Sequence, residues 1–274
     1  MDKIPLNAYF ERIGFEGSLR PDHATLAAIH RLHSRAIPFE NLNPWLGLPV
    51  LLDPAALHAK LVEGHRGGYC FEHNLLLANV LRQVGFAVTM LAARVLWNAP
   101  PESARPRTHM LLRVELDGES LLVDGGFGRM TLTGPLKLQA QGPQDTPHER
   151  FRLLREDGEL LMQAEVGGEW RSAYRFDLQP QQQVDFELTS WYLCHHPESH
   201  FRHRLIAART RADGRDTLLN NELTRHALDG RSETQTFGSV ADLRTALQEV
   251  FALRLPDVPL LQQRLQALVQ PQPQ

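Results

Sequence analysis

The pattern of apolar residues changes at Gly85, and this change limits the fold more than any other feature of the sequence. Before Gly85, apolar residues recur at helical spacing in three segments: one that Asp22 can cap, one that Asp53-Pro54 opens, and 71–84. Gly85 itself is a common signal for the end of a helix. The spacing predicts a small helical bundle over residues 1–85.

Short β-prone runs follow Gly85, separated by turns that contain glycine or proline. The runs are 88–97, 110–116, 120–123, 151–154, 160–164 and 173–176, and we expect the strand region to end near 184–193. Turn signals at Asp157-Gly158 and Gly167-Gly168 are typical of antiparallel pairing. The pattern predicts an antiparallel sheet or barrel over residues 86–195.

The remainder, residues 196–274, mixes both patterns. We predict a helix at 198–208, strands around 217–220 and Ala227, and a helix at 240–251 that Ser239 opens. The terminal Gln-Pro-Gln-Pro-Gln is predicted to be a disordered tail. The whole chain therefore has the pattern of an α+β fold, with a helical bundle, a central antiparallel β-barrel and a mixed α/β unit.

Composition excludes several classes of protein. The chain has 274 residues, of which 42% are hydrophobic, so it can bury a sizeable core. Its formal net charge of -3 provides no cationic field for nucleic acid or for an anionic membrane. The N-terminal segment lacks the pattern of a signal peptide, and no apolar run is long enough to span a membrane. We therefore expect a cytoplasmic protein.

The chain contains two cysteines, Cys70 and Cys194, too few for a disulfide scaffold. An intracellular cysteine commonly packs as a small apolar side chain, but Cys70 follows Gly67-Gly68 at the start of a predicted helix. A helix N-terminus favours a thiolate, and its amides can receive negative charge from a carbonyl oxygen. The alternative is a glycine-rich helix start with an incidental cysteine.

A predicted hairpin brings a histidine and an aspartate together. If Asp117-Gly118 is its two-residue turn, opposed residues have numbers that sum to 235, so Leu111 faces Asp124. His109 then lies on the same face as Asp124, as a diagonal neighbour with Cα atoms roughly 7–8 Å apart. A three-residue turn would instead place the two side chains on opposite faces.

An imidazole held by a carboxylate is the base that a thiol nucleophile needs. We therefore predict a catalytic triad of Cys70, His109 and Asp124. The alternative interpretation is that His109 only ends a strand and that Asp124 only forms a turn before Gly125-Gly126.

Thirteen histidines raise the question of a metal site. The candidates are Cys194 with His195, His196, His200 and His203, and Cys70 with His73. Adjacent ligands point in different directions, and no second cluster completes a set of four, so we predict no metal. The segment 125–128 lacks the glycine spacing of a nucleotide-binding loop, so its glycines indicate close backbone approach to a ligand or a strand bulge.

Three segments resemble the arylamine N-acetyltransferases in order and spacing: 66–74 (RGGYCFEHN), 108–110 (THM) and 123–128 (VDGGFG). The segments 37–42 (IPFENL) and 196–201 (HPESHF) are similar to that family's N-terminal motif and to the motif that opens its third domain. The resemblance implies a helical bundle (1–85), a β-barrel (86–195) and an α/β lid (196–274) around a cysteine-protease-like, papain- or transglutaminase-like core.

The resemblance also implies the triad and its substrates. It implies acetyl-CoA as co-substrate, no tightly bound cofactor, and small aromatic amines or hydrazines as acceptors; that neither nucleic acid nor a membrane is a partner is expected from the charge and hydropathy given above. The residues that it implies for the acceptor pocket are Phe39, Val95 and Phe127, and those near CoA are Gly125, Gly126 and Gly128. Core packing is the alternative role of Phe39 and Phe127. Gly125 departs from the family, which often has a larger apolar residue there.

Two other classes of function stay open at this point. The same triad serves cysteine hydrolases, transglutaminase-like enzymes and, within the family, amide synthases that act on a tethered acyl chain. The chain could also be a catalytically silent binding module, in which Cys70 would react with iodoacetamide no faster than a free thiol.

Overall fold

The computed structural model describes residues 3–100 and 103–270 of the chain. Part of the predicted C-terminal tail, residues 271–274, lies outside the described residues. The helices, in chain order, are Leu6–Ile13 (α1), His23–Ala36 (α2), Leu42–Leu46 (α3), Pro54–Leu57 (α4), Cys70–Val84 (α5), Gln183–His195 (α6), His200–His203 (α7), Val240–Thr245 (α8) and Pro259–Val269 (α9). Two of them continue as wider π-helical turns, α4 at His58–Glu63 and α8 at Ala246–Val250.

The predicted helix ends are confirmed by their capping contacts. Asp22 accepts a hydrogen bond from the amide of Thr25 at the start of α2, and Asp53 does the same for α4, whose first residue is Pro54. Gly85 adopts φ 112°, which lets the chain leave α5 in a left-handed conformation that a residue with a side chain resists. Ser239 accepts from the amide of Asp242 at the start of α8.

Thirteen strands of the described residues form two antiparallel sheets. They are Phe39–Glu40 (β1), Ala87–Val95 (β2), Arg107–Leu116 (β3), Glu119–Val123 (β4), Leu136–Lys137 (β5), Gln144–Asp145 (β6), Arg150–Glu156 (β7), Glu159–Val166 (β8), Glu169–Phe176 (β9), Ile206–Thr210 (β10), Gly214–Leu219 (β11), Glu222–Ala227 (β12) and Ser232–Thr236 (β13). The larger sheet has the order β5-β4-β3-β2-β9-β8-β7-β6, and the smaller one the order β1-β10-β11-β12-β13.

The larger sheet is a nearly closed barrel. Its edge strands β5 and β6 are joined by one side chain: Gln144 accepts from the Lys137 amide at 2.8 Å and donates to the Lys137 carbonyl at 3.0 Å. A cluster of buried apolar side chains, including Leu111, Phe151 and Phe176, fills its interior. The prediction of a mixed fold with an antiparallel barrel is therefore confirmed.

Two predicted elements are wrong. The segment 184–193 belongs to helix α6 rather than to the end of the strand region, because Phe186, Ser190, Leu193 and Cys194 recur at helical spacing and face the core. Strand β9 is the last strand of the barrel and ends at Phe176.

The predicted helix 198–208 is a single helical turn, α7, followed by a strand. Ala207 and Ala208 on strand β10 pair with Glu40 and Phe39 on strand β1, a contact between segments far apart in sequence that overrides the local helical pattern. Helix α9 was not predicted from the sequence, although Pro259 stands at its first turn.

The apolar core crosses the sequence boundaries predicted near 85 and 195. The cluster around helix α5 includes Met90 and Val114 of the barrel strands and Phe201 from the segment after α6. A second cluster joins Trp45 of α3 to the C-terminal helices. The division into three domains therefore stays a prediction. No helix among the residues that the structure describes is long and apolar enough to cross a membrane.

Candidate active site

Cys70 is the first residue of helix α5 and is only 4% exposed. The turn before it is tight, because a Cβ atom at Gly67 would lie 2.0 Å from the carbonyl oxygen of Pro38. Two ion pairs with buried carboxylates hold this turn, Arg66 with Glu40 at 2.7 Å and Lys60 with Glu72 at 2.6 Å. The glycines and the charges of the 66–74 segment therefore place the sulfur at the helix N-terminus, where the sequence predicts it.

His109 and Asp124 come together as the hairpin register predicts. Leu112 on strand β3 pairs with Val123 on strand β4, which is the register in which opposed residue numbers sum to 235. His109 Nε2 lies 2.7 Å from Asp124 Oδ2, and both side chains are buried. The turn residues Asp117 and Gly118 both have positive φ, as a two-residue hairpin turn requires.

The charges of this pair are set by their contact. Burial lowers the pKa of His109, but the negative charge of Asp124, their hydrogen bond and a hydrogen bond with the Cys70 side chain outweigh it and raise the pKa to about 10. Burial raises the pKa of Asp124, and His109, Asn74 and the Gly126 amide outweigh it and lower that pKa. At neutral pH the site therefore holds an imidazolium beside a carboxylate.

Cys70 completes the cluster. Its side chain lies close enough to His109 to contribute to the raised pKa of that imidazole, and its sulfur donates a hydrogen bond to the carbonyl oxygen of Thr108 at 3.6 Å. Since His109 Nε2 is occupied by Asp124, the other ring nitrogen, Nδ1, is the one left for the sulfur. The structure thus brings together the three side chains of the predicted triad, from helix α5, strand β3 and the residue after strand β4.

Asn74 is a buried part of the site that the sequence analysis did not single out. Its amide donates to Asp124 Oδ1 at 3.0 Å and to the Met110 carbonyl at 2.7 Å, and its oxygen accepts from the Gly125 amide at 3.0 Å. These bonds fix the carboxylate from the side opposite His109. The only signal in the sequence is its place in the 66–74 segment, one helical turn after Cys70.

Aromatic rings pack around the imidazole. Phe127 lies 4.9 Å and Tyr174 5.0 Å from the His109 ring, centroid to centroid, and Val95 pairs with Tyr174 across strands β2 and β9. Phe39 lies 6.3 Å from the Phe201 ring. The three residues predicted for the acceptor pocket, Phe39, Val95 and Phe127, are all partly exposed, and Phe39 and Phe127 also pack against the buried apolar clusters.

The glycines predicted to lie near CoA differ in their surroundings. Gly125 and Gly126 are buried; a Cβ at Gly125 would lie 2.9 Å from the His33 ring, and one at Gly126 would lie 2.8 Å from the Cys70 Cα. The His33 ring thus occupies the space that a larger residue at 125 would need. Gly128 has φ 77° and faces the Phe39 ring. A contact of these glycines with CoA stays a prediction.

Replacing Gly126 with alanine should destabilise the protein by about 1–3 kcal/mol and lower turnover, because the new Cβ meets backbone atoms of Cys70 that cannot move aside alone. Thermal denaturation and steady-state rates measure both effects. Gly238→Ala is the matched control, since a Cβ there meets nothing within 4 Å. Equal melting temperatures and rates for the two variants would contradict the close approach.

The remaining cysteine and its neighbouring histidines do not form a second site. Cys194 is buried with its sulfur 3.8 Å from the Tyr69 hydroxyl. Among the described residues, no group of three or more His, Cys, Asp or Glu side chains could hold a metal ion.

Comparison with known proteins identifies the family. A family model described as N-acetyltransferase matches residues 22–259. An arylamine N-acetyltransferase of Mycolicibacterium smegmatis is 43% identical over 93% of this chain and 94% of its own length. An arylamine N-acetyltransferase / N-hydroxyarylamine O-acetyltransferase of Salmonella typhimurium is 41% identical over 92% and 90%.

Structural similarity agrees with sequence similarity. The structure of Mycobacterium marinum arylamine N-acetyltransferase in complex with CoA superposes with a TM-score of 0.90 at 38% identity, covering 97% of this chain and 98% of that one. The chain belongs to the arylamine N-acetyltransferase family, and it is an acyltransferase.

Proposed function

We propose that the protein transfers the acetyl group of acetyl-CoA to the nitrogen of arylamines and arylhydrazines, or to the oxygen of N-hydroxyarylamines, through an acetylated Cys70. The observation that carries the proposal is the position of Cys70, at the N-terminus of helix α5, beside His109, whose Nε2 lies 2.7 Å from Asp124 Oδ2. The relatives' names supply the class of acceptor, and the CoA complex of one relative supports the donor.

In the first step the Cys70 thiolate attacks the thioester carbonyl of acetyl-CoA. A bond from the carbonyl carbon to Sγ forms, the bond to the CoA sulfur breaks, and the His109 imidazolium gives its proton to the departing thiolate. Amides at the N-terminus of helix α5 can receive the charge that develops on the oxygen. Exchange of one thioester for another costs little free energy, so the acetyl group keeps its transfer potential.

In the second step CoA has left, and an unprotonated aromatic amine attacks the acetyl-Cys70 carbonyl. The now neutral His109 takes the amine proton, which restores the thiolate and imidazolium, and the amide product leaves. The two half-reactions share one site, so we expect ping-pong kinetics. The arrangement, a cysteine at a helix N-terminus against a barrel that carries histidine and aspartate, is a papain-like core.

The partly exposed apolar side chains near His109 suit an aromatic acceptor. We propose that Phe39, Val95 and Phe127 enclose the aromatic ring and exclude water, which would otherwise hydrolyse the intermediate. We propose that the segment 125–128 contacts the CoA pantetheine and phosphates. We propose that the reaction takes place in the cytoplasm, since a reducing compartment keeps the Cys70 thiol free.

Incubation with acetyl-CoA alone, followed by intact-mass measurement, tests the proposal. We expect the mass to rise by one acetyl group, and peptide mapping to locate that group on Cys70. Addition of an arylamine should remove it and yield the acetylated amine. Failure to gain the group contradicts the mechanism, and prompt release of acetate without an amine would favour a hydrolase.

A further inference from the structure

Behind Cys70, three buried polar side chains that the reaction does not use form a continuous chain of hydrogen bonds. The Tyr9 hydroxyl lies 2.8 Å from His33 Nδ1, His33 Nε2 lies 2.9 Å from His73 Nδ1, and His73 Nε2 lies 3.1 Å from the carbonyl oxygen of Pro38. The side chains come from helices α1, α2 and α5, and each is at most 1% exposed.

The Pro38 carbonyl at one end of the chain determines which atom donates and which accepts in every hydrogen bond of the chain. The Pro38 oxygen can only accept, so His73 Nε2 carries a hydrogen and donates to it. A neutral His73 then accepts at Nδ1 from His33 Nε2–H, and His33 accepts at Nδ1 from the Tyr9 hydroxyl. Each ring nitrogen has one partner and one role, so the chain has a single satisfied arrangement.

The surroundings keep both imidazoles neutral. Burial lowers the pKa of His73 to about 4, and burial together with its histidine neighbours lowers the pKa of His33 well below the ordinary value. A proton on His73 Nδ1 would face the N–H of His33 across the same 2.9 Å contact. At neutral pH the hydrogen-bond chain therefore holds no extra proton and acts as a fixed connection, the strut, between helices α1, α2 and α5.

The end of the chain reaches the residue next to Phe39. His73 lies one turn after Cys70 on helix α5, and Pro38 directly precedes Phe39. On the other side of Cys70, Phe39 forms a parallel bridge with Gly68, and the Glu40 amide donates to the Gly68 carbonyl at 2.8 Å. The backbone at Phe39 is thus bonded to His73 of helix α5 through Pro38 and to Gly68 in the turn before that helix, one contact on either side of Cys70.

We propose that His73 is a positioning residue for the acceptor: through Pro38 it sets where the Phe39 ring stands relative to the Cys70 sulfur. This inference rests on the proposed function, in which Cys70 carries the acetyl group and Phe39 contacts the aromatic ring. The rate with an aromatic amine, whose ring must lie against Phe39, depends on this chain of hydrogen bonds. The rate with a small nucleophile without a ring, such as hydrazine, does not.

Two substitutions at His73 test the hydrogen bonds of its two ring nitrogens separately. Glutamine can place an N–H near the position of Nε2 and keep the bond to Pro38, whereas asparagine reaches only the position of Nδ1 and keeps the bond from His33. Acetyl-Cys70 enzyme is prepared from each variant and from the wild type. Its deacetylation by aniline and by hydrazine is then followed by intact mass.

We expect His73→Asn to slow deacetylation by aniline about tenfold or more, since small displacements of a reacting group have effects of this size, and to change the hydrazine rate less than about twofold. His73→Gln should stay within about twofold of the wild type with both acceptors. Equal losses with aniline and hydrazine, or equal behaviour of the two variants, would overturn the proposal.

Folding and the proposed function have their own readouts. Melting temperature and the rate of Cys70 alkylation by iodoacetamide show whether each variant keeps the site intact. If His73→Asn does not fold, Tyr9→Phe is the deciding variant, because it removes only the far end of the hydrogen-bond chain. It should slow deacetylation by aniline, to a smaller extent, and leave the hydrazine rate unchanged. If Tyr9→Phe shows no such selective loss, the inference is overturned. A wild-type protein that gains no acetyl group contradicts the proposed function instead.

Discussion

Replacing Cys70 with alanine will reduce acetyl transfer by about 10⁴-fold or more, because the variant lacks the atom that carries the acetyl group. The fold should persist. Cys70 packs in the apolar cluster around helix α5, and its sulfur donates one long hydrogen bond to the Thr108 carbonyl, so the free energy of unfolding should fall by only about 1–2 kcal/mol. Steady-state rates and thermal denaturation measure both quantities.

Cys194→Ala is the matched control for this variant. Cys194 is also a buried, free cysteine, but it lies on helix α6 beside the Tyr69 hydroxyl and away from His109. We expect it to keep turnover close to that of the wild type. Retained acetyl transfer in Cys70→Ala would remove the mechanism, and equal losses in both variants would show that the effect is structural.

Replacing Asp124 with asparagine will reduce turnover by about 10³–10⁴-fold, a loss typical of a triad whose carboxylate is neutralised. An amide cannot stabilise the imidazolium, and its N–H₂ can face His109 Nε2 and reverse the tautomer. Asp117→Asn is the control within the same hairpin, because Asp117 is exposed in the turn at φ 51°, where asparagine is well tolerated. Similar rates for the two variants would contradict a special role for Asp124.

The pH dependence of Cys70 alkylation gives an independent readout for Asp124→Asn. In the wild type the charge of Asp124 overcomes burial and raises the pKa of His109 to about 10, so the imidazolium persists through neutral pH. Without that charge, burial dominates and the pKa of His109 falls below its ordinary value. Alkylation of Cys70 by iodoacetamide at neutral pH should then slow, since the sulfur loses the positive charge of the neighbouring imidazolium. An unchanged pH profile would contradict this coupling.

Local signals predicted the parts of the site that lie within one hairpin or one helix end. The Asp117-Gly118 turn determines the register, and the register alone places His109 beside Asp124. The glycines before Cys70 and the amphipathic segment after it likewise predict a cysteine at the start of a helix. In both cases the relevant geometry is fixed by residues close together in the chain.

Contacts between distant segments could not be predicted in the same way. The short strand Phe39–Glu40 exists because it pairs with Ala207 and Ala208, about 170 residues later, and neither segment alone indicates it. Asn74 and His73 stand in the 66–74 segment, yet their hydrogen-bond partners lie on other elements. Which polar side chains meet in the core depends on how helices and barrel pack, which periodicity does not report.

The junction between the edge strands β5 and β6 of the barrel has a consequence for the motions of this protein. Elsewhere in the larger sheet, separating two strands breaks a ladder of main-chain bonds, but strands β5 and β6 have no such ladder and are joined by the Gln144 amide, with a side-chain contact of Thr133 and Thr146 beside them. Rotation of that half-buried side chain breaks both of its bonds to Lys137 without breaking the main-chain pairing of any other two strands. The junction of β5 and β6 is therefore where we expect the barrel to open with the smallest free-energy cost. Local opening there can let water reach the apolar interior while the hairpin that holds His109 stays paired.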